Sequence, residues 1–403
     1  MSAGFGRVIA VSVAMPLPPL PRLPPLVEPV EVPLQRLDRL SRNIALPQLG
    51  LDGQGRLAAA RILVIGAGGL GSPVLQYLAA AGVGTIGIVD FDTVDVSNLQ
   101  RQVIHRTASV GELKTSSAAR AIGEIDRDIV VVEHPVRLDR NNALALFGAY
   151  DLVVDGSDNF ATRYLANDAA ALLHKPYVWG SVLRFDGQVT VFWEGAPARP
   201  SVDYRDVHPI PPDPGDALSC DEAGVLGGVC GTIGSIMASE TVKIVCGIGE
   251  PLVGRLLNFD GLTSRWREIA VTRRAERMPV AELIDYDLFC GVGPISPTIT
   301  AVQLLALMSM SDAARDPAPP RLIDVREASE RAVSSISGSH HLALAELLAD
   351  PARVGALQAG GGPLVVYCAS GQRSARAVGA LRDAGVDAVS LAGGIRAWQR
   401  VVG

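Results

Sequence analysis

Between residues 62 and 90 the chain runs through an apolar segment, a glycine-rich turn, a helical stretch and a second apolar segment ending in an acid. Ile62-Leu-Val-Ile65 is apolar at every position, the pattern of a parallel strand buried on both faces. Gly66-Ala-Gly-Gly-Leu-Gly71 makes the turn, Ser72 to Ala81 continues as a predicted helix, and Gly87-Ile-Val-Asp90 is the next strand. This order closes one βαβ unit and commits the chain to an α/β fold with helices on the faces of a sheet. Gly66, Gly68, Gly69 and Gly71 let backbone N–H groups approach an anion at a helix N-terminus. Asp90, at the end of the second strand, is placed to hold ribose hydroxyls. A nicotinamide-dependent dehydrogenase and a mononucleotide enzyme fit these residues equally well.

The residues that follow separate the two. Ser97-Asn98-Leu99-Gln100-Arg101 comes soon after the second strand, and Lys114 stands in Val-Gly-Glu-Leu-Lys. Arg101 and Lys114 are predicted to sit near phosphates. Leu152-Val-Val-Asp155 is a further strand, and Asp158-Asn159 after it suits a Mg²⁺ that bridges phosphate oxygens. Cations and a metal on a phosphate chain are the kit for phosphoryl or nucleotidyl transfer. No group is placed as the proton relay a dehydrogenase needs, and no Walker A pattern is present. Three ordinary readings stand beside these: Lys114 as a solvated helix residue, Asp158 as the cap of the next helix, and Arg42, upstream, as a surface ion pair.

Other strands are expected at Ile129 to Val132, Val178-Trp-Gly-Ser181 and Gln188 to Trp193, the last two of undecided direction. Leu34 to Leu57 reads as amphipathic helix with a turn at Pro47 and Gly50. From Glu194 to Ser219 the composition turns to Pro, Asp and Gly, which predicts a mobile functional loop. A boundary near Cys290 to Pro297 precedes a smaller unit with strands at Arg321 to Val325 and Leu364 to Tyr367.

Bulk properties narrow the function classes. The 403 residues are 48% hydrophobic and 19% charged, enough apolar material for packed cores. A net charge of −6 argues against a general nucleic-acid binder. Five cysteines without a C-x-x-C pair favour a reducing cytoplasm over a disulfide framework. Arg7 before Val8 to Met15 faintly resembles a signal peptide, but the run is short and a Pro-rich stretch follows it. The expected reading is a flexible tail, with Met15 as an alternative start. Ala223 to Ser239 carries no charge. Its glycines, and Glu240 and Lys243 beyond, favour a buried core helix over a membrane span.

A second chemical site is expected at Cys368-Ala-Ser370-Gly371-Gln-Arg373-Ser374, between an apolar strand and a helix. A ring of backbone N–H groups at a helix N-terminus, beside Arg373, stabilises an anionic sulfur. A buried structural thiol is the ordinary alternative, and such thiols lack polar neighbours of this kind. Cys230, Cys246 and Cys290 have none and read as core or linker filler.

Several longer words of sequence occur in one order: Arg39-Leu-Ser-Arg42, the Gly66 to Gly71 loop, Val89-Asp-Phe-Asp92, Ser97 to Gln102, Asp155-Gly-Ser-Asp-Asn159 and Ser219-Cys-Asp-Glu-Ala-Gly-Val-Leu226. On these the chain from Arg39 to about Arg274 resembles the MoeB/ThiF family, bacterial relatives of ubiquitin-activating enzymes. Ile323-Asp-Val-Arg326, the Cys368 loop and Ala392-Gly-Gly-Ile-Arg396 make the remainder resemble a rhodanese domain. The resemblance implies a Rossmann-like domain with a mixed sheet over 34–284, a linker over 285–298, and a small α/β rhodanese domain over 299–403, after a Pro-rich tail over 1–33. It also implies ATP-Mg²⁺-dependent adenylation of the C-terminal Gly-Gly of a ubiquitin-like sulfur carrier. Gly69 and Asp90 would then bind the nucleotide, Arg101 and Lys114 the phosphates, and Asp158 the Mg²⁺. Arg42 would reach a neighbouring subunit's site in a homodimer, although Leu40 replaces the aromatic often found between the two arginines. Cys220 would be a crossover-loop cysteine that resolves an acyl disulfide.

Under this resemblance a Cys368 persulfide, loaded from thiosulfate or a cysteine desulfurase, would displace AMP from the carrier adenylate. The carrier's pathway stays open among molybdopterin, cysteine, thiamine and specialised metabolites. Adenylation with an idle rhodanese domain, a non-catalytic scaffold and an NAD(P)-dependent enzyme are the competing readings. Family members commonly hold a structural zinc in two C-x-x-C pairs. Asp203-Tyr-Arg-Asp206 stands in place of the first pair and Arg277-Met-Pro-Val280 in place of the second, so no zinc is expected.

Overall fold

The computed structural model describes residues 23–197, 199–211, 224–290, 297–309, 319–354, 362–369 and 371–402. The chain divides into two compact units, Met1–Tyr286 and Asp287–Gly403.

The first unit is built on an eight-stranded sheet of order β3-β2-β1-β4-β5-β6-β7-β8. After helices α1 (Leu34–Ile44) and α2 (Gly50–Ala59) come β1 (Arg61–Ile65), α3 (Gly71–Ala80), β2 (Thr85–Val89), α4 (Lys114–Ile125) and β3 (Val130–His134). Then follow α5 (Ala143–Gly148), β4 (Leu152–Asp155), α6 (Phe160–Leu172), β5 (Tyr177–Leu183) and β6 (Asp186–Phe192). The unit ends with α7 (Tyr204–Val207), α8 (Gly227–Cys246), β7 (Arg255–Asp260) and β8 (Arg265–Ala270). Strands β1 to β5 are parallel. The direction left open by the sequence is antiparallel from β6 onward, because a tight turn at Arg184 (φ 54°) folds β6 straight back on β5.

The core strands are apolar for the reason the sequence suggested. Ile62, Leu63 and Val64 of β1, Leu152 to Val154 of β4 and Ile86 of β2 have no solvent exposure, since helices cover both faces. Gly87 is required by packing: a side chain there would lie 2.3 Å from the Tyr150 ring. Helix α8 is long and apolar enough to span a membrane by composition alone, yet 61% of its apolar window is buried, against α3, β5 and β6. Its Glu240 is buried, accepts the Leu252 N–H and pairs with Lys243.

Two segments differ from expectation. The Pro-rich stretch is anchored from Leu23, which is buried; Leu26 N–H bonds to Val245 O, and Val30 N–H to Gly55 O. An extended chain with unpaired amides needs such acceptors. Within the expected mobile loop, α7 is fixed by reciprocal caps: Asp203 accepts from Arg205 N–H, and Asp206 from Asp203 N–H. Tyr204 is fully buried there and its N–H donates to Asn167.

The second unit is a five-stranded parallel sheet of order β11-β10-β12-β13-β9. Its elements are β9 (Thr298–Ile299), α9 (Ala301–Ser309), β10 (Arg321–Asp324), α10 (Ala328–Val333), β11 (His340–His341), α11 (Leu344–Ala349), β12 (Leu364–Tyr367), α12 (Gln372–Asp383), β13 (Ala388–Leu391) and α13 (Gly394–Val402). Val366, Ala377, Val378 and Leu381 fill the core on one side of the sheet, and Leu304, Val365, Tyr367 and Leu391 the other.

Candidate functional site

In the first sheet the chain leaves β1 toward β2 on one side, while β4 lies on the other. Ligands of open α/β sheets bind at the carboxyl ends of strands at such a switch. The Gly66–Gly71 turn lies there. Gly156 N–H donates to Ile65 O, joining the ends of β1 and β4. Gly66 has φ 84°, and a side chain at Gly71 would lie 1.9 Å from the Gly66 carbonyl oxygen.

Asp90 sits beside the turn. Its Oδ2 accepts the Ala67 N–H at 2.8 Å and its Oδ1 the Asp92 N–H at 2.9 Å. Carboxylate oxygens keep further acceptor sites after those bonds, so the carboxylate remains able to take ribose hydroxyls. Burial raises its pKa, opposed by the Lys114 ammonium. Lys114 is not the solvated residue of the ordinary reading. It is 7% exposed, and its Nζ lies 2.8 Å from Asp92 Oδ2. Burial works against its charge, but Asp90, Asp92 and Asp158 together hold its pKa above the usual value.

The 3-10 turn Val96–Asn98 is a capped unit: Asp95 accepts from Ser97 N–H and Oγ–H, and Asn98 Oδ1 accepts the Asp95 N–H. Ser97 and Asn98 thus hold the turn that carries Leu99, Gln100 and Arg101. Arg101 lays its stem over Gly69, where a Cβ would be 3.5 Å from Cγ, and donates to Ser97 O. From below, the Cys230 sulfur approaches the same glycine to 3.0 Å from the Cβ position. Gln100 O is packed by Gly227 at the start of α8, where a Cβ would be 2.5 Å away.

At the end of β4, Asp155 is fully buried, accepts the Ser157 N–H at 2.7 Å and takes the Tyr177 hydroxyl. Asp158 is exposed. It does not cap the following helix; Asn159 does, accepting the Thr162 N–H at 2.9 Å. The structure therefore brings Gly66 to Gly71, Asp90, Arg101, Lys114 and Asp158 to one end of the sheet. Gln102 Oε1 and Ser157 Oγ are buried beside them without a hydrogen-bond partner among the described residues. Glycines, two cations and spare polar atoms fit a nucleotide phosphate chain. Asp158 offers a hard oxygen for Mg²⁺, the other positions falling to phosphate and water.

Arg42 is exposed in the last turn of α1, a helix that packs on α2 and is held to the end of α4 by Arg36–Asp126 and Arg39–Ile125 O. Cys220 and Ser370 lie outside the described residues. The sequence reading missed His105, which touches the loop: its Nε2 is 2.9 Å from Ala67 O and its Nδ1 2.9 Å from Ser117 Oγ. Its signal was only its place four residues after Arg101.

In the second unit Cys368 follows β12 and is 1% exposed. Gly371 N–H points at its sulfur at 3.1 Å and Ser374 Oγ at 3.7 Å. Gly371 has φ 104° at the start of α12, a left-handed backbone conformation that favours glycine. The Ala392 to Arg396 segment closes the loop from behind, with Ile395 N–H on Cys368 O and Arg396 N–H on Ala369 O. A side chain at Gly394 would lie 2.4 Å from Cys368 O. Arg373 is held in a two-pronged pair by Glu330 at 2.7 and 2.8 Å. Asp324 is buried, but two bonds from Arg326 hold its pKa low, bracing β10 behind the loop.

The positions expected in place of the zinc ligands hold a different construction. The Arg277 side chain is 3% exposed among Asp203, Asp206 and Glu194. Its Nη1 pairs with Asp203, its Nη2 is 2.7 Å from Glu194, and its Nε is 3.0 Å from Asp206 without hydrogen-bond alignment. A guanidinium fills the space between the carboxylates and, among the described residues, no thiolate joins them, so these residues do not fit a tetrahedral zinc.

Comparison with known proteins agrees with this architecture. The ThiF family matches residues 40–280 and the rhodanese-like domain residues 301–401. "Probable adenylyltransferase/sulfurtransferase MoeZ" of Mycobacterium tuberculosis is 49% identical over 395 residues, covering 94% of this chain and 96% of that protein. "Sulfur carrier protein adenylyltransferase" of Thermus thermophilus is 49% identical over 271 residues, 64% of this chain and 98% of that one. "Adenylyltransferase and sulfurtransferase MOCS3-1" of Zea mays is 41% identical over 394 residues, 92% of this chain and 83% of its own. The crystal structure of E. coli MccB with MccA-N7isoAsn shares the fold, with a TM-score of 0.54 at 19% identity over 60% of this chain and 75% of that one. MccB with ATP gives a TM-score of 0.52 at 20% identity over 60% and 74%. The chain belongs to the ThiF family and carries a rhodanese-like domain behind its ThiF domain.

Proposed function

We propose that this protein adenylates the C-terminal glycine of a ubiquitin-like sulfur carrier and then converts it to a thiocarboxylate with sulfur from Cys368. The observation that carries this reading is the pairing in one chain of a glycine loop flanked by Arg101 and Lys114 with a buried cysteine whose sulfur meets the Gly371 amide and the Ser374 hydroxyl. The names of the full-length relatives support the same pairing of activities.

In the first step a carrier carboxylate oxygen attacks the α-phosphorus of ATP and pyrophosphate leaves. Backbone N–H groups of the loop, Arg101 and Lys114 stabilise the charge that develops on the phosphates. Asp90 orients the ribose. Mg²⁺ held by Asp158 would supply further neutralisation of that charge. In the second step the terminal sulfur of a Cys368 persulfide attacks the acyl carbon and AMP leaves, giving an acyl disulfide. The Cys220 thiolate then attacks the Cys368 sulfur, releasing the thiocarboxylate and leaving a Cys220–Cys368 disulfide, which a cellular thiol reduces. The Gly371 amide and Ser374 hydroxyl stabilise the anionic sulfur. Thiosulfate or a cysteine desulfurase reloads Cys368.

The same reading takes the protein as a cytoplasmic homodimer in which Arg42 serves the partner's site, without zinc, nucleic acid or membrane. Incubating candidate Gly-Gly carriers with ATP, Mg²⁺ and thiosulfate and weighing them by mass spectrometry tests it. A carrier mass 16 Da higher is about what replacing one carboxyl oxygen by sulfur gives, and the reading requires that gain to depend on ATP. Binding of NADH in preference to ATP would overturn it.

A further inference from the structure

The two peptides that meet at Ala67 in the nucleotide loop are each gripped at a point that no phosphate contact explains. The Ala67 N–H is taken by Asp90 Oδ2 at 2.8 Å, from the end of β2. The Ala67 C=O is met at 2.9 Å by His105 Nε2, from a segment 38 residues later in the chain. A carbonyl only accepts, so Nε2 carries the proton. Nδ1 is then the acceptor, and it takes the Ser117 hydroxyl of α4 at 2.9 Å. Burial and the nearby Lys114 ammonium keep the ring neutral by lowering its pKa. The imidazole is 4% exposed and both of its nitrogens are used, so tautomer and orientation are fixed.

A trans peptide points its C=O and N–H in opposite directions. With the Ala67 carbonyl turned inward to His105, the Gly68 N–H faces away from the imidazole. No hydrogen-bond partner is found for that N–H among the described residues. The neighbouring glycines at 66 and 68 make rotation of this peptide easy. Rotated, it would present a carbonyl dipole where the anion loop needs a donor. Next along, Gly68 O is fixed inward by the Ser72 N–H and hydroxyl.

We propose that His105 is a positioning residue for adenylation, which locks the Ala67–Gly68 peptide so that the Gly68 N–H is presented to the nucleotide phosphates. This rests on the nucleotide reading of the loop. The full-length protein is titrated calorimetrically with ATP-Mg²⁺ and, separately, with adenosine. His105→Leu is expected to weaken ATP at least tenfold while changing adenosine less than twofold. His105→Gln, whose amide can still donate to Ala67 O, is expected to recover most of the ATP affinity. Ser117→Ala, which only frees the tautomer, should give an intermediate loss of a few-fold and serves if His105→Leu does not fold. Equal losses for ATP and adenosine would make His105 a packing residue, and an unchanged ATP affinity in every variant would overturn the lock. Wild-type protein that fails to bind ATP would overturn the nucleotide reading itself, and the lock with it.

Discussion

Replacing Arg277 by methionine keeps the length and apolar stem of the side chain and removes its charge. Asp203 and Asp206 side chains are 2% and 0% exposed and Glu194 is 23% exposed. Glu194 keeps Arg273 at 2.9 Å, so the loss falls on the two aspartates. Removing one partner from a buried ion pair costs about 3–5 kcal/mol, against about 0–1 kcal/mol for an exposed pair. For a unit of this size 1 kcal/mol moves the melting temperature by about 2–4 °C, so the variant should melt about 6–20 °C below wild type. Burial already pushes the Asp203 carboxyl up to about 6, against the pull of Arg277. A carboxyl with a raised folded-state pKa lends stability at low pH and loses it as pH rises through that value. Without Arg277 the pKa rises further, so the deficit should be larger at pH 8 than at pH 5, where Asp203 is protonated. Scanning calorimetry of the full chain at both pH values measures it. A shift under about 4 °C that ignores pH would refute the assignment of Arg277 as the cation of this cluster.

Four more outcomes follow from the geometry. Cys368→Ala should abolish thiocarboxylate formation from thiosulfate and leave carrier-dependent ATP–pyrophosphate exchange intact; unchanged thiocarboxylate yield would separate the second unit from the reaction. Lys114→Met should lower the exchange rate by about 10²–10³-fold, the usual loss of one preorganised charge donor, and a change under threefold would count against its phosphate role. Gly71→Ala drives a methyl to 1.9 Å from the Gly66 carbonyl, so ATP binding measured calorimetrically should be lost. EDTA should leave the melting temperature unchanged and elemental analysis of purified protein should find no stoichiometric zinc; a zinc per chain would overturn the guanidinium reading.

What the sequence made legible was local. The all-apolar runs of β1 and β4, the glycine turn between β1 and α3, and the cysteine between β12 and α12 are each encoded within a dozen residues, by strand pattern and backbone need. What it concealed was partner choice across the chain. Nothing near His105 announces the Ala67 carbonyl, nothing near Arg373 announces Glu330, and only the folded sheet brings Asp92 to Lys114. The capping alternative for Asp158 could not be dismissed from sequence, because Asp158 and Asn159 are equally good caps in isolation, and the folded chain gives the cap to Asn159. Tyr204 looked like loop because its burial is supplied by Tyr164, Trp179 and Phe192 from other elements.

The grip on the Gly66–Gly71 turn has a thermodynamic consequence. Asp90 and His105 hold its first two peptides, Gly156 ties the strand end beneath it, and Arg101 and Cys230 pack against Gly69. A free glycine-rich segment would lose about 1–2 kcal/mol of backbone entropy for each residue it ordered around a ligand. Here that loss falls on folding of the unit, before any ligand arrives. Nucleotide association should therefore meet a small conformational entropy penalty, and the binding free energy is left available for orienting the reacting phosphorus.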